Sequence, residues 1–452
     1  MLLVPIAEGN RILTMLEQAA QLKQALVDFV YDAEGDLAVA FEQYVATHGS
    51  RDRQDIRLQN LVVDMFLNSG EVDDQTPIDL FLASESDLSA SDRDLVKHWQ
   101  QTFTGLFEII EIQPESFKLM NWLTAKYYTV FPSPEISQSD MDKWKPGDIL
   151  LSRIAPLPDG NWMFSGACIP KGKLGKPKLA VVIGEFKDNY PNQLYGDAPD
   201  LLEKAWESVL QYHQEFVDCL GSDRILLPGY QLNKKITELQ ERLSKKQLEA
   251  AGIDSSKSLK QIIQEAGVDE TEIKASATEA GVDEKSVEQV LGNNDSPMLF
   301  PKVQLPDEIK RAEQVMAFSH PRWGQMFVPT YPKFVSVLKA EDPVTQPNSD
   351  KLVRKYLEDK EINTFIWQQL KEEYPTQLET LLKAVLERPD FHLERDFESM
   401  LKQYNKSLEP QLPEIASVPQ HLHQLFEEAV AQVQSKSKSS KKKKKGKGFQ
   451  EV

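Results

Sequence analysis

Cysteine is nearly absent from the chain, with two residues in 452. That excludes a disulfide framework and any four-cysteine zinc site. No run of about 18 apolar residues occurs, so the sequence offers no membrane span. Met1 to Asn10 has no basic stretch and no small-residue cleavage site, so it does not read as a secretory leader. Together these absences predict a cytoplasmic protein. Sequence signatures of chemistry are missing as well. There is no GxSxG elbow and no GxxxxGK[ST] phosphate loop, and the glycines of KGKLGKPK do not fit one. Asp73 and Asp74 lack the spaced oxygen ligands of a calcium loop. Positive charge is in deficit too: 52 Lys and Arg against 70 Asp and Glu give a net charge of −18. That balance argues against a surface that coats nucleic acid throughout.

The charge is unevenly spread. Residues 435–452, SKSKSSKKKKKGKGFQEV, hold eight Lys and one Glu for a net of +7, so the remainder carries −25. With Phe449 and Val452 as its only apolar residues, this segment reads as a disordered, Lys-rich tail.

Apolar content is 40% and charged content 27%, ordinary for a globular chain able to bury several cores. Residues 1–102 read as a helical domain: Ile12, Leu16, Ala19, Leu22, Leu26 and Phe29 share one helical face. Asp55 to Asn68 is a second helix, Thr76-Pro77 starts a third, and Ser91 is placed to cap a fourth. The pattern changes near Gly105. GLFEIIEIQ, KYYTVF, PGDILLSRIAP, WMFSGAC and LAVVIGEF read as short strands, the third and fourth joined by the turn Pro158 to Asn161. They predict a small antiparallel barrel or sandwich over 103–190.

A helical hairpin follows over 191–250, opened by Asp197-Ala198-Pro199 and stopped at Gly221. Its stripes are Leu202, Trp206, Val209, His213, Phe216 and Leu220, then Leu232, Ile236, Leu239 and Leu243. Residues 251–296 form a short-helix repeat insert, marked by AGID, AGVD and AGVD, with EAGVDE occurring twice. Residues 297–348 are a Pro-rich aromatic strap, and 349–434 a C-terminal helical domain. The fold class expected is α+β, mostly helical and multidomain.

The order of features in residues 60–168 is familiar. An acidic turn with TPIDLFL leads into LVKHW, GLFEIIEI, LMNWLTAKYYTV, PGDILLSRIAPL and WMFSGA. This resembles a module in uncharacterised bacterial proteins that accompany SEC-C or YecA-type metal-binding motifs. The resemblance covers about a quarter of the chain and implies an accessory protein near translation or protein handling. The partner motifs use closely spaced Cys and His ligands, whereas Cys168 and Cys219 stand alone here, so no metal is implied.

Candidate chemistry is sparse. His421 and His423 would point about 200° apart on a helix and so cannot share one ion. Ser165-Gly166 ends a strand with no nearby histidine to act as a base. No catalytic residue, metal or cofactor is assigned. Surfaces are better marked. Arg322, Trp323, Phe327 and Tyr331 in the strap are residue types that dominate protein interfaces. Lys171, Lys173, Lys176 and Lys178, beside an aromatic-bearing β-module, and Lys441, Lys442, Lys443, Lys444 and Lys445 suit an anionic partner. The sequence therefore predicts a non-enzymatic accessory or assembly factor that binds a protein partner. An RNA- or ribosome-associated factor using the lysines is the alternative, and a hydrolase with an unrecognised site is weaker still.

Overall fold

The computed structural model describes the backbone of residues 6–49, 56–134, 136–250, 298–301 and 303–445, and their side chains except for 6–12, 247–250 and 434–445. The chain is α+β and mostly helical. It divides into two units, one of residues 1–201 and 421–452, the other of 202–420. Among the described residues, no helix is long and apolar enough to cross a membrane.

The first unit opens with α1 (Ile6–Tyr31), α2 (Asp36–His48), α3 (Ile56–Ser69), α4 (Pro77–Ser84) and α5 (Ala90–His98). Thr76 and Asp79 form a reciprocal capping box at α4, with Pro77 in the first turn where its missing N–H costs nothing. The cap of α5 is Ser89, not Ser91, because Asp92 then falls at the third helical position and donates its N–H to Ser89. Ala19, Leu22, Leu26, Phe66, Phe81 and Trp99 form the helical core.

The strands follow: β1 (Phe103–Ile112), β2 (Phe117–Asn121), β3 (Tyr127–Phe131), then the single turn α6 (Gln138–Met141), β4 (Asp148–Pro156) and β5 (Trp162–Lys173). Pairing runs β1-β2-β3-β5-β4 and returns to β1. Four of the five pairings are antiparallel, and β3–β5 is parallel, so the expectation of a wholly antiparallel module fails there. The sequence from Tyr127 to Trp162 is long enough for the crossover a parallel pair needs. One face of the strands packs Phe107, Ile109, Leu119, Leu150, Ile154 and Phe164 together. Phe131, Ala155, Leu157 and Met163 instead join the helical core.

LAVVIGEF is not a strand. It lies in α7 (Lys176–Asn189), with Leu179, Ile183 and Phe186 buried at helical spacing. A short apolar run does not distinguish a strand from a buried helix, and Pro177 in the first turn favours the helix. α8 (Pro199–Leu220) carries the division between units. The last helix of the chain, α16 (Gln420–Lys445), belongs to the first unit. The tail is therefore helical as far as Lys445 rather than disordered from Ser435, and residues 446–452 lie outside the described residues.

The second unit holds most of α8, then β6 (Arg224–Leu227), α9 (Gly229–Ala250), β7 (Met298–Leu299), α10 (Asp307–Arg311), β8 (Val315–His320) and β9 (Gly324–Val328). Helices α11 (Tyr331–Leu338), α12 (Ser349–Glu358), α13 (Thr364–Glu373), α14 (Pro375–Val385), α15 (Leu393–Gln403) and the short β10 (Val418–Pro419) complete it. β6, β8 and β9 form an antiparallel sheet in the order β6-β8-β9. Leu232, Ile236, Leu239 and Leu243, the stripe expected of α9, are all buried. The repeat insert at 251–296 lies outside the described residues.

Candidate functional site: a buried charge cluster beside a cleft

Strand register builds the site. Arg153 on β4 is paired with Thr104 on β1 and with Ser165 on β5. Paired residues in adjacent strands point to the same face, so these three side chains form one row. That row faces α3, where Asp64 and Asn68 are four residues apart and share a helix face. The Arg153 guanidinium fits between them. Its Nε donates to Asp64 Oδ2 at 2.6 Å, Nη2 to Asn68 Oδ1 at 2.6 Å and Nη1 to Thr104 Oγ1 at 3.0 Å. The Asn68 amide then donates to the Thr102 carbonyl at 2.8 Å, closing the network.

A second cation comes from α1. Lys23 forms an ion pair with Asp64, donates to Ser165 Oγ at 2.9 Å, and stands 5.7 Å from the centre of the Trp99 ring. Ser165 in turn donates to Asp64 at 3.0 Å. All three charges are buried: Lys23 is 6% exposed, Asp64 4% and Arg153 fully enclosed. Burial pushes the Asp64 carboxyl up, but Lys23 and Arg153 outweigh it and hold it below the usual carboxylate range. Neither cation meets another carboxylate within ion-pair distance among the described residues, so the cluster carries one surplus positive charge.

The surplus charge borders a cleft of about 250 Å³. Lys23, Gln24, Ser165 and Gly166 line it together with the apolar Leu16, Ala20, Met163 and Phe164. Pro132 and Pro134 stiffen the segment that, with Ser133, completes the lining. Gly166 is required here. Its φ is +72°, and a Cβ would stand 3.2 Å from Asp64 Cβ.

This arrangement does not activate Ser165 as a nucleophile. Its hydroxyl proton points to a carboxylate whose basicity is lowered, and the Lys23 amine is committed as an ammonium to that carboxylate.

A second, half-buried polar centre joins the strands to the residues before α8. Asp197 does not cap α8 as its position suggests. Its Oδ2 accepts from Tyr128 Oη at 2.5 Å, Thr124 Oγ1 at 2.8 Å and Asn121 Nδ2 at 3.1 Å. His421, at the start of α16, is bonded through Nε2 to the Trp122 carbonyl at 2.8 Å. Burial holds its imidazole below the usual range. Among the described residues, no group of three or more His, Cys, Asp and Glu could hold a metal ion.

The residues marked by the sequence are dispersed. Lys171 and Lys173 are exposed at the end of β5, and Lys178 is exposed in α7. Lys176 is half-buried and paired with Glu428 of α16. Lys441 to Lys445 lie on the backbone of α16. In the second unit, Arg322 is exposed and stacks 3.9 Å over the Trp206 ring. Trp323 is half-buried against the core, and Phe327 is half-buried on β9. Tyr331 is only 2% exposed, edge-on to Phe318 at 5.0 Å, so its ring is interior. Met326, Phe334 and Tyr331 of the segment read as a strap belong to the core of this unit.

The chain matches no family model, no curated protein and no solved structure.

Sequence reasoning missed Lys23, Asp64 and Arg153. A signal was present: Asp64 is the one acid in LVVDMFL, and Arg153 the one charge in ILLSRIAP.

Proposed function

We propose that the protein is a non-enzymatic accessory factor that binds a protein partner or assembly, and that the cleft of the first unit is its contact site. The observation that carries this reading is the pair of buried cations on one carboxylate beside an opening. A buried charge costs free energy unless it is paired. The surplus positive charge is therefore best compensated by a partner group that enters the cleft. The strand module, as a small barrel, acts as the rigid scaffold that holds Arg153 and Ser165 in place. The resemblance read in the sequence of residues 60–168, to the module accompanying SEC-C and YecA motifs, implies an accessory protein near translation or protein handling and fits this reading.

Affinity purification of the full chain, with and without ribonuclease, tests this reading. Ala20→Leu fills the cleft without touching the charges. Ribonuclease should leave a defined protein partner in place, and Ala20→Leu should deplete it. Loss of the partner on ribonuclease treatment, or its retention by Ala20→Leu, overturns the proposal.

A second reading has its own observation. Lys171, Lys173 and Lys178 are exposed, and the exposed Tyr127 lies 5.7 Å beneath the Lys118 ammonium. Basic side chains with an open ring suit single-stranded RNA. Under this reading, deleting residues 435–452 and neutralising Lys171, Lys173, Lys176 and Lys178 weakens RNA capture and flattens its salt dependence. Unchanged RNA capture contradicts it.

A further inference from the structure

We infer that the cleft beside Lys23 accepts the carboxylate of an aliphatic chain, the chemistry shared by the C-terminal end of a peptide and a free short-chain carboxylic acid. This rests on the reading of the cleft as a binding site and specifies what enters it.

Charge comes first. Two cations and Asp64 leave a surplus of one, which a single carboxylate neutralises and a dianionic phosphate would overshoot beside the Asp64 carboxylate. Hydrogen bonding agrees. An ammonium has three N–H donors. Lys23 directs one to Asp64 and one to Ser165, and apart from the Trp99 ring at 5.7 Å the third meets no partner among the described residues, so a ligand oxygen in the cleft that Lys23 lines can take it. Arg153 has no such role, because it is fully enclosed and its donors are spread over Asp64, Asn68 and Thr104.

Shape supplies the rest. Leu16, Ala20, Met163 and Phe164 line the same space as Lys23, alongside the polar Gln24 and Ser133, so an apolar group attached to the carboxylate finds surface to bury against. At about 250 Å³ the space is smaller than a typical drug-sized pocket of about 300–1,000 Å³ and suits one or two residues of chain. A cation beside apolar wall suits a chain terminus, whose backbone carboxylate sits directly on the residue carrying the aliphatic side chain, whereas the peptide backbone of an internal segment is uncharged.

Titration calorimetry on the full chain tests the inference with three probes. One is an N-acetylated hexapeptide ending in Val-Leu with a free carboxylate. The second is the same peptide as its C-terminal amide. The third is 4-methylpentanoate. The acid peptide should bind about tenfold or more tightly than the amide, the scale of one charge-assisted hydrogen bond. Lys23→Met should bring the acid peptide down to the affinity of the amide, and Ala20→Leu should abolish binding of both. Saturable binding of 4-methylpentanoate as well identifies a free acid as a second source of the same group. Equal affinity for acid and amide, or no binding of any probe to the wild-type chain, overturns the inference. The contact-site reading is judged separately. If Ala20→Leu still depletes a ribonuclease-resistant partner, the cleft is a contact site and only its ligand class is wrong.

Discussion

Arg153 on β4 donates its Nε to Asp64 on α3 at 2.6 Å, across 89 residues of sequence. The contact ties the helical half of the first unit to the strand half through a pair that is almost dry. Each of its three nitrogens makes a hydrogen bond, with Asn68 and Thr104 accepting from Nη2 and Nη1. Lys23 is the additional cation, and its removal leaves a balanced pair.

Asp64→Asn should therefore be severe. It leaves Lys23 and Arg153 buried without a carboxylate, and breaking a buried pair from one side costs about 3–5 kcal/mol. Hydrogen exchange of the β4 and β5 amides reads this locally and avoids assuming that a two-unit chain unfolds in one step. Protection of those strands should fall in the variant, while β8 and β9 in the second unit stay as in the wild type.

The same carboxylate predicts a pH dependence. The folded state holds Asp64 below the ordinary carboxylate range, because Lys23 and Arg153 outweigh the effect of burial. A pKa depressed by folding contributes stability that is fully present above the unfolded value, about 4, and is lost as pH falls through the folded one. Protection of β4 and β5 should hold at neutral pH and decline only below about pH 4. In Asp64→Asn this acid decline should be shallower. Equal slopes in the two proteins would remove Asp64 from the account.

Gly166→Ala and Gly160→Ala separate local strain from packing. Both glycines have φ near +70°, at +72° and +73°. A Cβ at Gly160 meets nothing within 4 Å, whereas at Gly166 it reaches the Asp64 side chain at 3.2 Å. Gly160→Ala should cost about 1–2 kcal/mol, the penalty of the left-handed backbone alone. Gly166→Ala should cost more and should also weaken binding at the cleft. Equal losses at the two positions would mean that Asp64 tolerates the close approach.

Much of the fold is visible in the chain. Helix α3 lies on the run read as a helix, the Thr76-Pro77 cap stands as read, and β1, β3, β4 and β5 lie on the runs that suggested them. These features are set by neighbours a few residues apart. α7 was misread because LAVVIGEF has no polar residue to fix its period until Glu185. The parallel β3–β5 pairing depends on a register that no local pattern encodes. The charge cluster was hidden for a similar reason. Lys23 follows Leu22 in an amphipathic helix and looks like a solvated flank. Only the packing of α1 and α3 on the row Thr104, Arg153 and Ser165 shows that three ordinary charges share one buried site. The strap misled in the opposite direction: Tyr331 has the composition of an interface residue and the burial of a core one.

The most direct test of the central claim is the local stability of Lys23→Met, read by hydrogen exchange in β4 and β5. If Lys23 is the surplus cation held for a ligand, the variant loses the Lys23 bond to Ser165 but keeps the Asp64–Arg153 pair and the Ser165–Asp64 bond, and stability should stay within about 1 kcal/mol of wild type. A loss as large as that of Asp64→Asn would show that Lys23 holds the fold together, and would contradict the assignment of the cleft as a binding site.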